Sequence, residues 1–180
     1  VTAGAGHVAG PLSSADLMSV LFFGEGVNFK QDKVVLSCGH YCPVLYSALA
    51  RSGVLPVAEL KTFMQMGSRL PGHPERGLTP GIEVSAGPLG QGVSVSVGMA
   101  IGRKMSRREG TIYCVISDGE LQEGQVWEAF NVATARKLDN LVFLLDRNRV
   151  QIEHYVSEVV VGEVEPQRTG VVASADMPSR

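Results

Sequence analysis

Positive charge clusters, long apolar runs and cysteines are all scarce in this sequence. Its 16 lysines and arginines are balanced by 18 acidic residues, and no basic run stands out, so an electrostatic surface for nucleic acid or anionic membrane is not indicated. No apolar stretch approaches the roughly 18 residues that a membrane-spanning helix needs. The first seven residues have neither a basic start nor an apolar stretch, so we expect no secretory signal there.

The three cysteines, Cys38, Cys42 and Cys114, are too few for a disulfide framework. An odd, low count with no signal sequence favours a reducing, cytoplasmic location and free thiols. Cys38 and Cys42 have the spacing of a metal-binding pair, but no second pair completes a tetrahedral site. We therefore expect all three to be small buried side chains.

What the sequence does contain is the composition of a globular protein. Hydrophobic residues make up 44% and charged residues 19% of the 180 positions, enough for one domain with a substantial core. Residues 1–158 are predicted to form this domain. The pattern loses its period after Glu153, and residues 159–180 are predicted to be a poorly ordered tail.

The periodicity of the chain indicates an α/β fold with a parallel sheet and helices on both faces. Residues 111–117 read as a β-branched strand, residues 120–137 as an amphipathic helix and residues 141–146 as a second strand, which is a βαβ crossover. The remaining predicted elements are helices over 15–23, 43–51 and 57–66, a short strand over 33–37, and a helix that follows a Gly- and Pro-rich loop over 67–92. A loop of that length in a compact domain is usually functional or disordered.

Polar residues follow both strands of the crossover. Asp118 ends one strand and Asn148 lies just beyond the next, 30 residues later. Because ligands bind beyond the carboxyl ends of parallel strands, these residues are candidates for one site. A carboxylate and an amide oxygen suit magnesium, and Gly119 would let the backbone approach a phosphate. Ordinary turn chemistry explains the same residues equally simply.

The long loop and its neighbours supply two further candidates. The run Gly87-Pro88-Leu89-Gly90-Gln91-Gly92 resembles a phosphate-binding glycine loop, but it follows no clear strand, so a tight turn before a helix remains open. His7, His40 and His73 each follow a glycine directly, which would let the backbone come close to a ligand while the imidazole donates to it. Surface histidines are the alternative. Glu120 and Glu123 fall early in the predicted helix, where they could simply complement its dipole.

Taken together, these segments resemble one family. Four blocks appear in the family's order: SCGHYCPVLYSAL, GSRLPGHPE, GIEVSAGPLGQG, and SDGELQEGQVWEA followed by KLDN and DRNRVQI. The last block is similar to the thiamine-diphosphate signature of transketolases, Gly-Asp-Gly followed about thirty residues later by asparagine. The likeness extends over roughly residues 6–158 and is greatest to the N-terminal subunit of two-chain transketolases.

The resemblance implies a role for each matching residue. Asp118, Asn148 and the backbone carbonyl of Val150 would bind magnesium. Gly119 and His40 would hold the diphosphate, with Asn148 also at the cofactor.

Gly87 and Leu89 would flank the aminopyrimidine ring in such a site. His7 and His73 would bind the sugar hydroxyls and assist proton transfer. Glu123 would lie at a subunit interface and connect two active sites.

The sequence also departs from the family pattern. Ser117 replaces the first glycine of the signature, Val8 follows His7 where proline is frequent, and Arg147 precedes Asn148 where a polar or acidic residue is common. We expect the family's helix before residue 6 and the remainder of its first domain after residue 158 to be missing from this chain.

The resemblance further implies that the glutamate which activates the cofactor belongs to a second, pyrimidine-binding domain. We expect this domain on a partner chain, the C-terminal transketolase subunit, and an assembly of two such heterodimers. The implied activity is transfer of a two-carbon ketol unit from a ketose, such as a sugar phosphate, to an aldehyde, with thiamine diphosphate and magnesium. A relative that passes the unit to a carrier-bound acceptor and a non-catalytic regulatory remnant are the alternatives.

Overall fold

Four parallel strands form the central sheet of the chain. The computed structural model describes residues 3–24, 27–159 and 171–173, and the last three only as backbone. The sheet has the order β1 (Lys33–Leu36), β2 (Ile112–Ser117), β3 (Leu141–Asp146), β6 (Val171–Ala173). The predicted parallel βαβ crossover is thereby confirmed.

Helices pack on both faces of this sheet, as the sequence predicted. The helices are α1 (Ala9–Ser13), α2 (Ala15–Phe23), α3 (Cys42–Arg51), α4 (Gln91–Met105), α5 (Gly124–Ala135) and α6 (Val156–Val159). Val34 and Val115 point into a core shared with α2 and α3, whereas Val35 and Cys114 point into one shared with α4 and α5. This alternation follows from the two-residue repeat of a strand, and burial on both faces explains why the strands are apolar throughout.

The register of the sheet places the ends of the strands together. Ile112 pairs with Leu141 and Ser117 pairs with Asp146, so β2 and β3 end level with one another. Beyond them, β4 (Val150–Gln151) and β5 (His154–Tyr155) form a small antiparallel hairpin. The polar residues that follow β2 and β3 therefore emerge at one edge.

Two predicted helices are shorter than expected. The segment predicted as helix over 57–66 is a 3-10 helix, Val57–Thr62, after which Met64 adopts a positive φ of 58°. The long loop determines this ending, because Met64 donates its backbone N–H to the carbonyl of Leu70 at 3.0 Å. The helix predicted over 120–137 is divided into a 3-10 helix, Gly119–Gln122, and α5, since Glu123 is extended with ψ 120°.

The other sequence-based expectations have mixed outcomes. All three cysteines are buried and free, as expected. No helix in the described part of the chain is long and apolar enough to cross a membrane. The tail predicted over 159–180 lies outside the described residues except for Val159 and the short strand β6.

Candidate functional site

Asp118 lies at the carboxyl end of β2 and is only 8% exposed. Its Oδ1 accepts the backbone N–H of Gly119 at 3.0 Å, and its Oδ2 accepts that of Arg149 at 2.5 Å. Burial raises the pKa of this carboxyl, and the two hydrogen bonds oppose the rise by favouring the charged form. The second bond joins the end of β2 to the turn after β3, so the two polar segments meet as the sequence predicted.

Asn148 is held in that turn by hydrogen bonds that its side-chain amide donates and accepts. Nδ2 donates to Tyr41 Oη at 2.9 Å and to Asp146 Oδ2 at 3.2 Å, while Oδ1 accepts the N–H of Val150 at 2.9 Å. The amide oxygen has two lone pairs, so beside the bond from Val150 it retains one that can bind a cation.

The donor chemistry of this edge fits magnesium. A carboxylate at Asp118, an amide oxygen at Asn148 and the carbonyl of Val150 are all hard oxygen ligands. Within the described residues there is no cluster of three His, Cys, Asp or Glu side chains suited to a metal ion. The magnesium ligands remain predictions.

The three glycine-preceded histidines converge in space. The rings of His7 and His40 lie 5.0 Å apart between centroids, in an edge-to-face arrangement. His73 lies beside Gly87, since a Cβ built on that glycine would be 3.6 Å from His73 Cδ2. Burial, together with the nearby His7 and His73, lowers the pKa of His40 to about 4. His40 is therefore neutral near pH 7.

The glycine loop packs directly against the turn that contains His40. A Cβ on Gly39 would lie 2.6 Å from the carbonyl oxygen of Ala86 and 2.9 Å from the nitrogen of Gly87. Further along, a Cβ on Gly92 would lie 2.6 Å from Ser37 Cα. The backbone of the loop can therefore approach the end of β1 only because these positions lack side chains.

The loop also meets the segment after β2. The carbonyl of Leu89 accepts from Gln125 Nε2 at 3.3 Å, and Gly90 lies next to Glu123. Glu123 is exposed at the start of α5. An exposed carboxylate at this position is free for the interface role that the resemblance implies, and that role remains a prediction.

Several residues that build the site were not predicted. Tyr41 and Asp146 hold Asn148, and Ser13 of α1 donates to Asp146 Oδ1 at 2.8 Å. Glu120 is completely buried, which excludes the interpretation that it merely complements a helix dipole from the surface. The signal for Asp146 was present in the sequence, because it ends the strand that precedes Asn148.

A separate groove of about 510 Å³ lies at the opposite edge of the sheet. Its lining includes Lys30, Lys33 and Arg103, near the amino ends of β1 and β2. None of the predicted site residues contributes to it. The site described above lies at the carboxyl edge, as expected for an open parallel sheet.

Comparison with known proteins agrees with this arrangement. The family model described as "Transketolase, thiamine diphosphate binding domain" matches residues 1–169. The chain belongs to the transketolase family. The crystal structure of transketolase from Campylobacter jejuni has a TM-score of 0.82 and 36% identity, over 89% of this chain and 28% of that chain.

Curated relatives include both short and long transketolase chains. The 6-deoxy-6-sulfo-D-fructose transketolase subunit of Clostridium sp. (strain MSTE9) is 42% identical over 164 residues, 87% of this chain and 59% of the relative. An apulose-4-phosphate transketolase subunit of Phocaeicola vulgatus is 39% identical over 163 residues, 87% of this chain and 58% of the relative. Transketolase of Homo sapiens is 42% identical over 158 residues, 82% of this chain and 25% of the relative. The chain thus spans less than two thirds of each.

Proposed function

We propose that this chain is one subunit of a transketolase-type enzyme that moves a two-carbon ketol unit from a ketose to an aldehyde acceptor. The observation that carries the proposal is the meeting of Asp118 with the turn at residues 148–150, where the backbone N–H of Arg149 bonds to the carboxylate. This contact brings both halves of the family's thiamine-diphosphate signature to one edge. Thiamine diphosphate supplies, when bound, the carbon nucleophile that accepts and releases the two-carbon unit.

The polar residues at this edge would hold the cofactor's anionic end. Asp118, the Asn148 side-chain oxygen and the Val150 carbonyl would hold magnesium, with Gly119 donating its N–H to the diphosphate. The neutral His40 suits a hydrogen-bonding role there, because an imidazole with a pKa of about 4 carries a donor without a charge at pH 7.

The remaining predicted residues would serve the cofactor ring and the substrate. Gly87 and Leu89 would flank the aminopyrimidine, since glycines at the neighbouring positions let the loop approach closely. His7 and His73 are exposed beside His40 and Gly87, where they would bind sugar hydroxyls and move protons. Glu123 would lie at the interface with a second subunit.

A partner chain would complete the enzyme. The two short relatives are named as transketolase subunits, which supports a partner subunit. This partner would be the C-terminal subunit with the pyrimidine-binding domain, in a cytoplasmic assembly of two heterodimers. Their names specify a sulfo sugar and a sugar phosphate, which supports a donor with an anionic group. Product analysis with a sugar phosphate and with a carrier-bound acceptor distinguishes this activity from the carrier-dependent alternative.

Calorimetric titration of thiamine diphosphate, with and without magnesium, tests the proposal on the chain combined with its partner subunit. We expect binding that needs magnesium and is lost in Asp118→Ala. Asp139→Ala is the matched control, because Asp139 is exposed at the amino end of β3, away from the site. Absence of binding by a folded wild-type complex, as the regulatory-remnant alternative expects, refutes the proposal.

A further inference from the structure

The carboxyl group of Glu120 is buried at the junction of three segments. Glu120 is 0% exposed. Its Oε1 accepts from Ser37 Oγ at 2.5 Å and from the backbone N–H of Gly90 at 2.6 Å. Its own backbone N–H donates to Ser117 Oγ at 3.3 Å.

Each of these contacts leads to a different part of the site. Ser37 directly follows β1 and precedes the turn that contains His40. Gly90 lies in the glycine loop and is the N-cap of α4, with a φ of +80°. Glu120 itself follows Asp118 and Gly119 directly. One side chain therefore connects the segments to which the proposed function assigns the diphosphate, the aminopyrimidine and the metal.

We propose that Glu120 is a positioning residue, which fixes the glycine loop relative to the Asp118-Gly119 turn before the cofactor binds. This inference rests on the proposed function for what the loop holds. The glycines of the loop permit many backbone conformations, although Ala86 and Gly87 pack against Gly39 and Gly92 packs against Ser37. A hydrogen bond from the Gly90 N–H to a buried carboxylate selects one of them.

Burial of a carboxyl group is unfavourable unless hydrogen bonds compensate for the lost contact with water. Glu120 Oε2 has no hydrogen-bond partner among the described residues, and burial raises the pKa of the group. An apolar side chain of similar size would avoid this cost, but it would leave the Gly90 N–H and the Ser37 hydroxyl unsatisfied. The same bond also means that the Gly90 N–H is not a donor to the diphosphate.

Three substitutions of Glu120 distinguish the effect of its hydrogen bonds on the loop from the effects of its charge and of its side-chain volume. Glu120→Gln keeps the length and the accepting Oε1 but removes the ionisable group. Glu120→Asp keeps the carboxylate but is one methylene too short to reach both donors. Glu120→Leu fills the space without an acceptor. Glu109→Gln, at an exposed glutamate on the opposite edge of the sheet, is the matched control.

Two measurements on the complex of the full chain with its partner subunit test the proposal. The first is hydrogen exchange of the peptide that contains residues 87–92, without cofactor. The second is magnesium-dependent affinity for thiamine diphosphate. We expect Glu120→Asp and Glu120→Leu to accelerate exchange and to weaken binding by roughly 10- to 100-fold, the usual range for residues that orient metal ligands. Glu120→Gln should stay within about threefold of wild type in both measurements.

Each result decides the matter. Unchanged loop exchange in folded Glu120→Leu or Glu120→Asp overturns the proposal. It is also overturned if Glu120→Gln is as impaired as Glu120→Leu, because the charge of the group rather than its hydrogen bonds would then be the cause. If Glu120→Leu does not fold, Glu120→Asp decides. If wild type binds no thiamine diphosphate, the proposed function fails while the exchange measurement, which needs no cofactor, still tests Glu120.

Discussion

Replacing Gly39 by alanine tests the close approach of two backbone segments on which the site depends. An added Cβ would lie 2.6 Å from the carbonyl oxygen of Ala86 and 2.9 Å from the nitrogen of Gly87. Ordinary contacts of this kind begin near 3.4 Å. The glycine loop would therefore have to move by about 0.8 Å, and both clashing atoms belong to the backbone, which yields less readily than a side chain.

Overpacking of this kind costs about 1–3 kcal/mol of unfolding free energy. At about 2–4 °C per kcal/mol for a chain of this size, we expect a melting temperature several degrees lower. We also expect weaker binding of thiamine diphosphate, because the displaced Gly87 belongs to the proposed aminopyrimidine site. Thermal unfolding followed by circular dichroism measures the first effect, and calorimetric titration measures the second.

Gly98→Ala is the matched control for this substitution. Gly98 lies within α4, and a Cβ there would meet nothing within 4 Å. Alanine in an exposed helix interior is favoured over glycine by up to about 1 kcal/mol, so this variant should be at least as stable as wild type. A Gly39→Ala protein with the stability and cofactor affinity of wild type would refute the packing described here.

Three further perturbations follow from the site. The pKa of His40 is about 4 in the folded chain and 6.5 in the unfolded chain, so as pH falls the unfolded chain takes up the imidazole proton first. The free energy of unfolding should therefore fall by at most roughly 3 kcal/mol between pH 6.5 and pH 4. Denaturant titrations at several pH values should show a shallower dependence in His40→Gln, and an unchanged slope contradicts the burial of this ring. Tyr41→Phe removes the hydroxyl that accepts a hydrogen bond from the Asn148 amide, a bond worth about 1 kcal/mol, so magnesium affinity measured by titration should weaken about fivefold in a protein that still folds. Unaltered magnesium affinity would show that Tyr41 does not support Asn148. Burial raises the pKa of Cys42 and of Cys114 to about 12, and Cys38 is buried as well. Alkylation at pH 8 followed by mass spectrometry should therefore label no cysteine of the folded chain and all three after denaturation. Labelling of the folded chain would contradict these buried positions.

The sequence was informative where the residue pattern is local. The strands β2 and β3 could be predicted within a residue, because buried parallel strands are continuous apolar runs with polar residues at their ends. The same ends gave Asp118 and Asn148 as candidates for one edge. Helix ends were less predictable. At Met64 the backbone turns to bond Leu70, six residues on, and at Glu123 it leaves a 3-10 turn before α5 begins. The apolar periodicity of the sequence specifies neither turn.

The sequence by itself determined the α/β class, the parallel crossover and the family, since these depend on periodicity and on motifs that each occupy a continuous stretch. Only the tertiary structure decided that Tyr41, Asp146 and Ser13 support Asn148, and that Glu120 joins the end of β1 to the glycine loop. Glu120 and Gly90 are 30 residues apart, and Ser37 and Glu120 are 83 apart. A glutamate in a first helical turn looks solvated in sequence, and it becomes a buried acceptor only when the sheet brings two distant donors to its side chain.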